Sequence, residues 1–200
     1  MNSDARRSAL LVIDMQNGFC HPEGSFTRMG ADTGAFQSVV PQVAGLCDAS
    51  RDLGMQIIFV RQSYRRNHPE AGLLEGRAHP WIVRESALGR DDWDSQVVSG
   101  IAVKGEDLVV VKPRYDAFLW TDLDLLLRRL AVTDLIVSGV STNVCVESTV
   151  RSAAQRDYAV TVAADAVAAT SLELHRAALT AMSYAFATVA DWKDIEVFNK

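Results

Sequence analysis

Short apolar runs alternate along the chain with longer stretches whose apolar residues recur at helical spacing. Leu10–Ile13 (LLVI), Gln56–Arg61 (QIIFVR), Leu108–Lys112 (LVVVK), Asp134–Gly139 (DLIVSG), Ala159–Ala163 (AVTVA) and Phe186–Ala190 (FATVA) read as strands. Their hydrophobicity is continuous rather than alternating, as expected of strands covered on both faces. Phe36–Leu53 predicts a helix, with Val39, Val43, Leu46 and Leu53 at helical spacing and Gly54 as its stop. Three more helices are predicted over Thr121–Leu130 (N-cap Thr121 or Asp122), Val144–Tyr158 and Ser171–Tyr184. Strands separated by helices imply an α/β protein, a parallel sheet between two helical layers. The stretch 62–105 fits neither period. It carries His68, Pro69, His79, Pro80, Trp81 and Trp93 among polar residues, and a segment that long is expected to form a lid or pocket wall.

Composition narrows the class. The 200 residues suit one domain spanning 1–200, and 48% hydrophobic with 22% charged residues is ordinary for a globular chain. The net charge of −5 offers no basic footprint, so no nucleic-acid partner is expected. No apolar run approaches the roughly 20 residues of a membrane span. Arg6 and Arg7 precede only a short apolar stretch that stops at Asp14, which is not a secretory signal. Cys20, Cys47 and Cys145 are an odd, sparse set without a Cys-x-x-Cys pair, which predicts reduced thiols and a cytoplasmic protein.

Three reactive residues fall at strand ends. Asp14 follows the first strand, Lys112 closes the 108–112 strand, and Cys145 opens the helix after the 134–139 strand. Ligands of open α/β sheets bind beyond those ends. A helix start can stabilise a thiolate and, through free N–H groups, an oxyanion. Glu147 is two positions on, about 200° around the helix, and is expected to point away. A lysine closing a run of valines is expected to be partly desolvated, with a lowered pKa, and Pro113 keeps it extended. Each residue alone also has a structural reading: Cys145 as a packing thiol, Lys112 as a snorkelling strand end, Asp14 as a cap. Together they make a nucleophile with its activators. His21, His68, His79 and His175 form no ligand pair and read as surface or loop residues, so no metal is expected. Neither a Gly-x-Gly-x-x-Gly nor a Walker sequence occurs, so no nucleotide cofactor is expected.

The segments Ala9–Phe19 (ALLVIDMQNGF), Val111–Phe118 (VKPRYDAF) and Ile136–Arg151 (IVSGVSTNVCVESTVR), with the weaker Ala163–Ala166, resemble the isochorismatase-like cysteine hydrolase superfamily in its order. The resemblance implies a three-layer fold with a six-stranded parallel sheet in the order 3-2-1-4-5-6, assembled as a homodimer or homotetramer. It implies Asp14 as general base, Lys112 as its partner and Cys145 as nucleophile, forming a thioester with a small-molecule amide. It implies a non-proline cis peptide before Ser141, with the N–H groups of Ser141 and Cys145 as oxyanion hole. The cysteine speaks against a vinyl-ether-cleaving isochorismatase. Arg61-Gln62-Ser63-Tyr64 stands where nicotinamidases carry Asp-x-His, which speaks against that assignment and its metal. The stretch around Cys145 looks most like the ureido and carbamoyl amidohydrolases.

Substrate-binding candidates are Gln16 and Asn143 as polar groups, with Phe19, Tyr64, Trp81, Tyr115 and Phe118 as apolar wall. Arg61, Arg65, Arg66, Arg84 and Arg114 are candidates to pair with a substrate carboxylate, or solvated surface residues. Two other classes fit the residues less well. Phosphoryl chemistry would need a second acid where Gln16 stands. A silent interaction subunit on the same scaffold would have no need of all three reactive residues.

Overall fold

The structure, a computed structural model, describes residues 3–199. Six strands, β1 (Ser8–Ile13), β2 (Gln56–Gln62), β3 (Leu108–Lys112), β4 (Asp134–Val140), β5 (Ala159–Ala168) and β6 (Thr188–Ala190), form one sheet. Every pairing is parallel and the order is β3-β2-β1-β4-β5-β6.

Successive side chains on a strand point to opposite faces, so each central strand feeds two cores. Leu10, Val12, Ile57 and Phe59 pack against Phe36, Val39, Val43 and Leu46 of the Gly34–Asp52 helix. Ala9, Leu11, Ile58 and Val60 pack on the other face. There they meet Leu127 of the Leu123–Arg129 helix, Val150 of Glu147–Ala154 and Met182 of Leu172–Ala185. Nearly every β1 side chain is fully buried, which makes it the spine of the sheet.

Besides short helical turns at Ser3–Arg7, Asn17–Cys20 and Ser25–Arg28 that the pattern does not predict, and shifts of one or two residues at strand ends, three predicted elements change in extent or form. The helix expected from Val144 begins as a π-helical turn, Thr142–Val146, and becomes α-helical only over Glu147–Ala154. β5 continues to Ala168, with its register against β4 shifting between Val137 and Gly139. β6 starts at Thr188 because Phe186 still caps the preceding helix.

The stretch 62–105 holds short helical turns at Leu73–Ala78, Trp81–Arg84 and Trp93–Ser95. It is tied down by polar contacts. Asp94, buried, accepts hydrogen bonds from the Ser25 N–H (3.0 Å), the Ser25 hydroxyl (2.6 Å) and the Leu88 N–H (3.1 Å). One carboxylate thereby fastens two loops over the carboxyl end of the sheet. No described helix is long and apolar enough to cross a membrane.

Candidate active site

Asp14 sits one residue past β1 with φ of 51°, a left-handed conformation that aspartate tolerates better than most residues. Its N–H is held by the Val60 carbonyl at 2.9 Å. Lys112 is the last residue of β3, in register with Gln62, the last of β2. Cys145 lies in the π-helical turn after β4. The peptide between Val140 and Ser141 is cis.

The strand order sets these residues in a row, and Lys112 reaches across the end of β2 to close it. Its Nζ is 2.8 Å from Asp14 Oδ2, 3.4 Å from Cys145 Sγ and 3.2 Å from Gln62 Oε1. Lys112 is 0% exposed and Asp14 1%, so the ion pair is sealed from water. Gln62 frames both partners. Its backbone N–H donates to Asp14 Oδ1 (3.0 Å), and its side-chain oxygen also lies 3.8 Å from Cys145 Sγ.

Burial opposes the charge on Lys112, but Asp14 and Cys145 beside it outweigh that cost and hold its pKa above the ordinary value. Burial pushes the Cys145 thiol up, the Asp14 charge pushes it further, and Lys112 offsets only part. Both directions correct the sequence reading, which expected a lowered lysine and a stabilised thiolate. At rest the arrangement is thiol, carboxylate and ammonium. Chemically it can pass the thiol proton to Asp14 as the sulfur attacks. Glu147 pairs with Arg151 at 2.6 Å, away from the thiol.

Above Cys145 lies a cavity of about 220 Å³. Its apolar wall is made by Phe19, Phe26, Phe36, Ile82, Val140 and Val144. Tyr115, Asn143, Ser141, His79 and Thr170 complete it, with Asp14, Gln62 and Cys145 on the reactive side. Phe26 is wedged between Phe19 (ring centroids 4.4 Å) and Trp81 (4.6 Å).

Of the residues the sequence nominated for substrate, the structure brings Phe19, Tyr115 and Asn143 to this wall. Four others do not line it. Gln16 is fully buried; its side-chain amide donates to the Gln62 and Ser95 carbonyls and its oxygen accepts from the Gln62 N–H. Tyr64 is also fully buried, and its hydroxyl accepts from the Gln62 amide. Trp81 backs Phe26 rather than facing the cavity. Phe118 belongs to the core on the other face of the sheet, against Tyr158 and under Arg156.

None of the five nominated arginines lines the cavity either. Arg65 pairs with Glu70, and Arg84 with Glu85. Arg114 bonds the Glu70 and Pro113 carbonyls. Arg61 points a guanidinium nitrogen at the Ser95 carbonyl, and Arg66 lies with Arg65 at a separate surface hollow.

Two histidines lie on loops, as the sequence suggests, but turn inward. His68 is buried with Nε2 2.7 Å from the Ala87 carbonyl, and His79 is on the cavity wall. Sequence reasoning missed Gln62, Phe26, Phe36, His79 and Ile82. Only Gln62 had a signal: it continues the face of Ile58 and Val60 to the strand's end. Among the described residues, no group of three His, Cys, Asp or Glu side chains is placed to hold a metal ion.

A parallel sheet in this order, with an aspartate, a lysine and a cysteine meeting at its carboxyl edge, defines an isochorismatase-like hydrolase. The Isochorismatase domain family matches residues 8–194, and the chain belongs to that family. It is 33% identical to the ureidoacrylate amidohydrolase RutB of Methylobacterium radiotolerans over 201 aligned positions, covering 94% of this chain and 78% of that protein. A cysteine hydrolase from Pseudomonas syringae pv. phaseolicola superposes with a TM-score of 0.89 at 29% identity, covering 100% of this chain and 94% of that one. An N-carbamoylsarcosine amidase from Thermoplasma acidophilum gives 0.76 at 26% identity, over 95% and 99%.

Proposed function

We propose that this chain is a cysteine amidohydrolase that cleaves the carbon–nitrogen bond of a small amide, ureido or N-carbamoyl compound through a thioester. The observation that carries this reading is Lys112 Nζ standing between Asp14 (2.8 Å) and Cys145 Sγ (3.4 Å) at the base of a cavity. The amidohydrolase and amidase names of its relatives support the same bond class. The reading calls on no metal.

The steps follow from the proton inventory. Cys145 sulfur bonds to the substrate carbonyl carbon while its proton passes to Asp14. The N–H groups of Ser141 and Cys145 are our candidates to receive the oxyanion. Collapse breaks the carbon–nitrogen bond, Asp14 returns the proton to the leaving nitrogen, and ammonia or an amine departs. Water then attacks the thioester, giving its proton to Asp14; the carbon–sulfur bond breaks and the thiol recovers that proton. Lys112 keeps its own proton throughout, consistent with its raised pKa, and holds Asp14 and the sulfur in place. We also read residues 1–200 as one catalytic domain, supported by a family match spanning 8–194.

The test is ammonia release over a panel of small amides, ureas and N-carbamoyl compounds, with trapping of the acyl-enzyme by mass spectrometry. Cys145→Ala is expected to lose at least about a thousandfold in kcat with its fold unchanged. Ammonia release retained by Cys145→Ala would overturn the nucleophile. Lys112→Ala is a poorer control, because an unpaired buried Asp14 costs about 3–5 kcal/mol of stability.

A further inference from the structure

We infer that the substrate is uncharged on its acyl side: a neutral, apolar carboxamide or alkylurea rather than an amide carrying a carboxylate. This rests on the cysteine-amidohydrolase reading and narrows its substrate class.

The argument is electrostatic. Among the described residues, no arginine lines the cavity, and the lysine beneath it is 0% exposed and already paired with Asp14. The ionisable groups at the wall are Asp14, Cys145, Tyr115 and His79, none of them a permanent cation. Phe26, Phe36, Ile82 and Val144 face the space that a substrate's tail would fill. An ionised carboxylate seated against that apolar wall would give up its water there without a fixed cation to pair with, since Lys112 is already taken by Asp14. An aliphatic or aromatic tail would instead gain burial.

The test uses two compounds of one shape, 4-methylpentanamide and succinamate, which differ by an isopropyl group against a carboxylate. The expected result is a kcat/KM for 4-methylpentanamide at least about tenfold above that for succinamate. Equal or faster turnover of succinamate would overturn the inference. If neither releases ammonia, the matching aldehydes, 4-methylpentanal and succinic semialdehyde, decide the charge preference alone, and the amidohydrolase reading is judged on the wider panel. Protection of Cys145 from iodoacetamide at an aldehyde concentration at least about tenfold lower for 4-methylpentanal supports the inference. Equal or better protection by the semialdehyde refutes it. Thr170→Arg gives a second arm, because Thr170 is exposed at the cavity rim and can carry a guanidinium without disturbing the core. It is expected to shift preference toward the anionic member of either pair; no shift there would count against an electrostatic cause.

Discussion

At the scale of single residues, Cys145 shows why position and state are separate questions. Its place after a strand and at a helix start was legible in the sequence, as was its company with Asp14 and Lys112. Its protonation was not, because pKa follows from distances and burial that no spacing encodes. Lys112 pulls the thiol toward ionisation, but burial and Asp14 together win. The thiol is thus protonated at neutral pH, and its thiolate fraction climbs with pH beyond the ordinary thiol range. Alkylation of Cys145 by iodoacetamide is expected to rise about tenfold per pH unit from pH 7 to 9, read by mass spectrometry. A plateau below pH 8 would show a thiolate already formed and overturn this picture. Cys20 and Cys47 are raised by burial as well, Cys47 to about 12, and neither lies at the cavity. Gln62 teaches the complementary lesson. It was passed over as the residue replacing a metal motif, yet it touches Asp14, Lys112, Cys145 and Tyr64.

At the scale of elements, strands were read well because a continuous apolar run has one explanation in a sheet covered on both sides. The walls of the cavity were not, because Phe26, His79 and Ile82 lie on loops whose course is fixed by distant polar contacts such as those of Asp94. Tyr64 and Phe118 show the same limit. Each is an aromatic near a reactive strand end, and only the fold shows that one braces Gln62 and the other fills the opposite core. Gly139 fixes the closest approach between elements. It stands at φ of 107° in β4, opposite Ile13 of β1, and a Cβ there would meet the Ile13 carbonyl oxygen at 2.0 Å. No side chain fits, because backbone cannot step aside as a flexible chain can. Gly139→Ala is expected to destabilise by more than about 4 kcal/mol in urea unfolding, since β1 delivers Asp14 one residue later. A change below about 1 kcal/mol would mean that the two strands part more easily than their contact implies.

At the scale of the whole molecule, the family resemblance carried the sheet order, which periodicity alone could not supply, and the structure has that order. The order has a consequence for how the protein fails. Lys112 sits on β3, which pairs with β2 alone, while Asp14 and Cys145 are carried by interior strands β1 and β4. Val109 in the middle of β3 is 43% exposed, so this border strand is held by fewer buried contacts than its neighbours. Segments with few buried contacts open first, ahead of the global transition. Mild denaturant should therefore peel away the lysine while the sheet's centre stays whole, leaving a folded but inactive protein. Ammonia release is expected to fall at lower urea than the far-ultraviolet circular dichroism signal, with β3 amides exchanging hydrogen before those of β1 and β4. Coincident curves would mean that β3 is fastened as firmly as the interior. Otherwise the strand that supplies the cation also sets the working lifetime of the catalyst, and fastening that border would prolong activity without altering the chemistry.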